Sequence, residues 1–191
     1  MRQAEAFLPT SYGNFTMIAY SDDPNDPMPN IALVHEDFDA NQPTVLRIHS
    51  ECMTGDVFSS KKCDCGEQLH HSMELIRKEV GVLVYLRQEG RGIGLINKLK
   101  AYKLQENGLN TIDANLHLGF QEDERQYKYA VEILKDLKIQ KIRLITNNPL
   151  KIKALKKVGF LITERIPIII APQTESKNYL EVKRDIMGHL L

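Results

Sequence analysis

The only three cysteines of the chain, Cys52, Cys63 and Cys65, are the residues whose types and spacing point most directly to chemistry. Cys63 and Cys65 flank one residue in a polar turn that ends at Gly66. Thiolate ligands of zinc come in short-range pairs joined by a turn, with further ligands returning from another segment. Cysteines packed as small hydrophobic residues are the alternative interpretation, but the polar turn disfavours it. The spacing therefore predicts a metal site.

The number of cysteines also bears on what the metal would do. Structural zinc sites normally have four protein ligands, whereas catalytic sites keep one position for water or substrate. Three cysteines therefore favour a catalytic site. His49, His70 or His71 could still supply a fourth ligand.

Composition limits the classes of protein to which the chain could belong. With 191 residues and a formal net charge of zero, it has enough sequence for one substantial core and lacks the charge of a general nucleic-acid or membrane-surface binder. Its start has no apolar signal core, and no apolar run approaches the ~20 residues that a membrane span needs. An odd number of cysteines with a Cys-x-Cys pair fits a reducing compartment. We therefore expect a cytoplasmic protein with one domain over residues 1–191.

The apolar pattern changes along the chain. Residues 1–65, which include the cysteines, are rich in strand signals, at 13–20 and 44–48. Residues 66–191 alternate strand and helix signals. In that part we expect strands at 82–86, at 142–145 and from 161, and helices at 95–107, 125–137 and 149–159. This pattern predicts an α/β fold of three layers, α/β/α, with a mixed, largely parallel sheet and a β-rich N-terminal part.

Two polar loops follow expected strands and precede expected helices, at 87–94 and 146–151. Amides at a helix N-terminus favour anionic oxygens, and Arg91 and Lys151 add positive charge, so phosphates are the natural ligands. The glycines of the first loop do not form a dinucleotide-binding motif, because Leu95 occupies the place of its third glycine. A strand-to-helix turn without a ligand is the other interpretation of this loop.

Seven short motifs, taken together and in order, strongly resemble the GTP cyclohydrolase II family from about Gly13 to Leu191. They are Arg47-Ile48-His49-Ser50-Glu51-Cys52, Cys63-Asp64-Cys65-Gly66, Arg87-Gln88-Glu89-Gly90-Arg91-Gly92-Ile93-Gly94-Leu95, His117-Leu118-Gly119-Phe120, Asp123-Glu124-Arg125, Thr146-Asn147-Asn148-Pro149 and Met187-Gly188-His189-Leu190-Leu191.

The resemblance implies the first reaction of riboflavin biosynthesis. In that reaction GTP is hydrolysed to 2,5-diamino-6-(5-phosphoribosylamino)pyrimidin-4(3H)-one, with release of formate and pyrophosphate. It also implies one Zn2+ per chain on Cys52, Cys63 and Cys65, Mg2+ with the triphosphate, and a homodimer. Many relatives are fused to a dihydroxybutanone phosphate synthase domain that this sequence lacks, so we expect a single activity. A homologue that only binds GTP, or that stops at the formamide, is the alternative.

The resemblance also assigns roles to individual residues. Tyr102 would donate a proton, Asp123 would accept one, and Arg125 would attack the α-phosphorus. Because arginine stays protonated and is a poor nucleophile, a charge clamp is an equally good role for Arg125. Glu89 could accept paired hydrogen bonds from guanine, which adenine cannot donate. The residues implied to bind GTP are Arg47, Ile48, His49, Ser50, Glu51, Gln68, Glu89, Gly90, Arg91, Thr111, Thr146 and Lys151.

Overall fold

The structure, a computed structural model, describes residues 1–121, 123–171, 174–176, 181–182, 184–185, 188 and 190. Of the motifs above, the one at the C-terminus is only partly covered. Met187, His189 and Leu191 lie outside the described residues.

Among the described residues, seven strands form one sheet in the order β1-β2-β3-β5-β4-β6-β7. The sheet is mixed, as predicted, and three of its six pairings are parallel: β5 with β4, β4 with β6, and β6 with β7. The N-terminal strands add the three antiparallel pairings. The strands are β1 (Arg2–Thr10), β2 (Gly13–Tyr20), β3 (Asn30–His35), β4 (Thr44–Ser50), β5 (Val82–Leu86), β6 (Lys141–Ile145) and β7 (Leu161–Ile166).

Within the described part of the chain, six α-helices between Met53 and Lys157 connect or flank these strands. They are α1 (Met53–Asp56), α2 (Cys65–Lys78), α3 (Gly94–Glu106), α4 (Thr111–His117), α5 (Lys128–Asp136) and α6 (Pro149–Lys157). The helix expected over 125–137 starts only at Lys128, so Asp123 and Arg125 lie in the loop before it. Among the described residues, no helix combines the length and apolar character that crossing a bilayer requires.

The core lies on both faces of the sheet, which confirms the three-layer α/β/α prediction. On one face, Leu46 and Val84 pack with residues of α5 and α6, such as Ile133. On the other face, Val45 and Leu83 pack with Met73 and Ile76 of α2. Neighbouring residues of a strand point to opposite faces, so β5, which is covered on both sides, is apolar throughout. β4 is buried along nearly all of its length although it also contains polar residues such as Arg47 and His49.

Strand β4 lies where the direction of chain winding reverses. The chain passes from β4 to β5 on one side and later places β6 on the other side of β4, in parallel with it. Ligands of open α/β sheets bind outside the carboxyl ends of the strands at such a switch point. Cys52 follows the carboxyl end of β4, and the loop with Glu89 follows that of β5. The topology therefore brings the cysteines and the first polar loop to the same edge of the sheet.

Candidate active site

The three cysteines converge as the spacing predicted. Their Sγ atoms all lie within 4.8 Å of one another, and those of Cys52 and Cys63 are 3.6 Å apart. Zinc held at ~2.3 Å by sulfurs in a tetrahedral arrangement requires sulfur–sulfur separations of about 3.8 Å, so the arrangement fits that metal. This group is the only such cluster of three within the described ranges, and it contains no histidine.

A buried carboxylate, Asp56, holds the segment that carries Cys52. One of its oxygens accepts hydrogen bonds from the backbone N–H of Cys52 (3.0 Å) and the hydroxyl of Tyr85 (2.8 Å). His49 Nε2 lies 3.0 Å from both Asp56 oxygens, and the imidazole stacks on the Tyr85 ring. Burial lowers the pKa of His49, so the neutral ring donates through Nε2–H. His49 therefore supports the cysteine segment.

A second buried network lies under the turn between Cys63 and Cys65. Arg47 donates to Gln68 Oε1 (2.6 Å), and Gln68 Nε2 donates to Asp64 (2.5 Å). Burial lowers the pKa of Arg47 to about 10, which leaves the guanidinium charged at neutral pH. This chain of bonds fixes Asp64, the residue between the two cysteines.

The helices α1 and α2 meet at two glycines. A Cβ atom on Gly66 would overlap the carbonyl oxygen of Gly55, and a Cβ atom on Gly55 would lie 3.0 Å from Cys63 Sγ. Only glycine at these positions allows the two backbones to approach so closely. This approach brings Cys52, which precedes α1, to Cys65, the first residue of α2.

Lys98 is the site residue that the sequence did not single out. Its Nζ donates to Cys52 Sγ (3.1 Å), Glu89 Oε1 (2.8 Å) and Thr54 Oγ1 (2.9 Å). Burial alone would lower the pKa of Lys98, but the negative charge of Cys52 and the bonds to Glu89 and Cys52 raise it above the usual value. The only signal in the sequence is its position four residues before Tyr102, which places both on one face of α3.

Beside the cysteines lies a pocket of about 690 Å³, including its open mouth. Arg91, at its rim, has a positive φ of 61°, a strained conformation for a residue with a side chain. Besides the cysteines, the predicted site residues that line the pocket are Ser50, Glu51, Glu89, Gly90, Arg91, Tyr102, Thr111 and Arg125.

The other predicted site residues do not line this pocket. Lys151 is buried and donates to the carbonyl oxygen of Ile48 (2.7 Å), and the Thr146 hydroxyl accepts from the backbone N–H of Asn148 (3.0 Å). Lys151 thus joins α6 to β4, and Thr146 stabilises the turn that precedes α6. The predicted residues in this group are Arg47, Ile48, His49, Gln68, Asp123, Thr146 and Lys151.

Asp123 and Arg125 form a two-point ion pair at the edge of the pocket. Arg125 donates through Nε (2.8 Å) and Nη2 (2.5 Å) to the two oxygens of Asp123. Burial would raise the pKa of Asp123, but the bonds and charge of Arg125 outweigh it and lower that pKa. Two hydrogen bonds hold the loop that carries this pair. The backbone N–H of Gln126 donates to the side chain of Gln88, and the backbone N–H of Glu124 donates to the carbonyl oxygen of Arg91.

Tyr102 lies between two lysines near the cysteines. The ammonium groups of Lys62 and Lys98 are 4.8 and 5.7 Å from its ring centre, within cation–π distance. Burial raises the pKa of Tyr102 to about 12. The phenol is therefore protonated at neutral pH and has a proton to donate.

Comparison with known proteins agrees with this geometry. A family model described as GTP cyclohydrolase II matches residues 1–167. The chain belongs to the GTP cyclohydrolase II family. Over all 191 residues it is 51% identical to the riboflavin biosynthesis protein RibBA of Bacillus mycoides, covering 48% of that protein. It is 50% identical to RibBA of Chlorobium phaeovibrioides, covering 46% of it. This member of the GTP cyclohydrolase II family thus spans about half the length of the curated relatives it matches.

Among solved structures, RibBX, a two-domain 3,4-dihydroxy-2-butanone 4-phosphate synthase from A. baumannii, matches 90% of this GTP cyclohydrolase II family member. The match covers 40% of that chain, with a TM-score of 0.45 and 20% sequence identity.

The close approach of α1 and α2 yields a test of the metal site. Gly66→Ala should cost about 1–3 kcal/mol of the free energy of unfolding, because the added methyl group forces the helices apart. It should also lower the zinc retained after gel filtration, since Cys52 moves away from Cys65. Urea denaturation and elemental analysis measure the two effects. The control is His71→Ala, an exposed change on the same helix, which should alter neither the free energy of unfolding nor the zinc content. Unchanged stability and zinc content in Gly66→Ala would contradict the account.

Proposed function

We propose that the chain is a GTP cyclohydrolase II. It would hydrolyse GTP to the 2,5-diaminopyrimidine product with release of formate and pyrophosphate, as the first step of riboflavin biosynthesis. The observation that carries the proposal is the lining of one pocket by three converging cysteines together with Tyr102, Arg91 and Arg125. This combination suits a substrate that has both a ring to be hydrolysed and a polyphosphate.

The ring would bind at the cysteine end of the pocket. Cys52, Cys63 and Cys65 would hold Zn2+, which supplies an activated water for hydrolysis at carbon 8. Tyr102, protonated and next to Cys52 and Cys63, would give its phenolic proton to a ring nitrogen as the carbon–nitrogen bond breaks. The negative charge of three thiolates would limit how strongly the metal acidifies water. A proton donor such as Tyr102 would therefore assist the reaction.

The triphosphate would bind near Arg91 and Arg125, and Mg2+ bound with it would offset part of the phosphate charge. In the structure Arg125 is held by Asp123 in a geometry that keeps the guanidinium positive. A charged guanidinium is a strong two-point donor to phosphate and a poor nucleophile. We therefore favour the charge clamp over covalent attack. Asp123, with a lowered pKa, is a weak base that orients Arg125.

Glu89 remains our proposed reader of guanine, but its carboxylate already has protein donors. Oε1 accepts from Lys98 and the N–H of Gly90, and Oε2 accepts from the N–H of Met53 (2.5 Å). A carboxylate offers about four acceptor positions, so one remains. Paired recognition of the guanine ring N–H and amino group would therefore require Glu89 to release one of its protein donors.

The homodimer stays a prediction.

Incubation of the zinc-loaded protein with GTP and Mg2+ tests the proposed function, with formate, pyrophosphate and pyrimidine each quantified. All three should form in equal amounts. Cys63→Ser should abolish formate release because the metal is lost, whereas pyrophosphate release stays detectable because it occurs at the other end of the substrate. Bound but unaltered GTP, or accumulation of the formamide, would support the alternative of an altered homologue and contradict the full reaction.

The role of Arg125 can be decided by substitution and by trapping. Arg125→Lys keeps the charge but loses two-point geometry, so pyrophosphate release should fall by about 10- to 1000-fold without vanishing. Acid quenching of the wild-type protein with α-labelled GTP should trap no label on the protein. A labelled Arg125 with a burst of pyrophosphate would instead establish covalent attack.

A further inference from the structure

Lys98 is a buried cation to which neither the family match nor the proposed reaction assigns a role. It is 9% exposed, although lysine rarely gives up hydration without a partner. Its ammonium has three donors, and the structure directs them to the sulfur of Cys52, the carboxylate of Glu89 and the hydroxyl of Thr54. Lys98 is therefore a cation shared between a cysteine sulfur and a carboxylate.

The charges of the cysteine group explain why a cation is useful there. Three thiolates and Zn2+ carry a net charge of −1, and burial in a medium of low dielectric disfavours an uncompensated charge. The ammonium of Lys98 lies 3.1 Å from Cys52 Sγ and 2.8 Å from Glu89 Oε1, so its positive charge offsets part of the negative charge that the thiolates and this carboxylate bring together. Lys62 also lines the pocket, but its side chain is 46% exposed and faces Glu106, so solvent screens its charge.

The contacts also fix geometry. Glu89 belongs to the loop after β5, and Cys52 follows β4, so Lys98 of α3 links the ends of two adjacent strands. Thr54 adds an acceptor from α1. One side chain thus sets the position of a metal-binding thiolate relative to the carboxylate beside the substrate pocket.

We propose that Lys98 is a positioning residue of the metal site, which offsets negative charge at the three thiolates and holds Cys52 and Glu89 together. The inference rests on the proposed function only in that the cysteines hold zinc. Groups that orient metal ligands typically contribute 10- to 100-fold to metal affinity, and loss of Lys98 should fall in about that range.

The test compares Lys98→Met, which keeps length and apolar stem but removes the charge, with Lys100→Met, an exposed change on the same helix. Zinc affinity is measured by competition with a chromogenic chelator. Lys98→Met should bind zinc about 10- to 100-fold more weakly than the wild type, and Lys100→Met should match the wild type.

Substitution with Co2+ gives a spectroscopic readout that a general loss of stability would not move. A thiolate that loses an N–H···S bond donates electrons more readily, so the sulfur-to-cobalt absorption of Lys98→Met should shift to longer wavelength. Lys98→Arg, which restores the charge, should recover most of the affinity. If Lys98→Met does not fold, Lys98→Gln, which is also uncharged, replaces it with the same expected loss of affinity.

Wild-type zinc affinity and an unshifted cobalt band in the folded uncharged variant would overturn the role of Lys98 while leaving the metal site intact. A wild-type protein that binds neither zinc nor cobalt would overturn the metal site itself, and with it both proposals. The two failures are therefore distinguishable in one set of titrations.

Discussion

The site depends on the position of β4 in the sheet. The chain adds β5 on one side of β4 and later β6 on the other, both parallel to β4, so the direction of winding reverses there. This arrangement opens a crevice at its carboxyl end. Cys52 leaves the sheet there, and the loop after β5 runs beside it. The glycine contact between α1 and α2 then returns the chain so that Cys63 and Cys65 reach Cys52. Sheet order and one close helix contact together create the cysteine group.

Buried charges hold this arrangement in place. Asp56 fixes the backbone at Cys52, and Arg47 acts through Gln68 on the residue between the other two cysteines. A buried ion that loses its partner is costly, so each network has a strong preference for one geometry. Several residues that the family resemblance associates with GTP therefore also have structural partners. In the proposed function, the same side chains would serve both GTP binding and the support of the cysteine group.

Sequence reasoning found the parts of the molecule whose pattern is local. The bounds of β2 and β5 agree with the structure, because both strands have clear turn signals at their ends, and the cysteine spacing predicted their convergence. It missed β1, since that strand is mostly exposed and has no buried apolar face to reveal it. It also missed Lys98, because a lysine on a helix normally faces water. Which partner a long cationic side chain reaches depends on tertiary contacts, as the bond from Lys151 to a strand carbonyl shows.

The central claim is that three thiolates hold zinc and leave one position open beside the nucleotide pocket. X-ray absorption at the zinc edge, recorded on the purified protein with and without GTP, measures this most directly. The account predicts three sulfur atoms at ~2.3 Å and one nitrogen or oxygen atom, whose contribution changes when GTP is added. A shell of four sulfurs, or one dominated by nitrogen and oxygen, would contradict it.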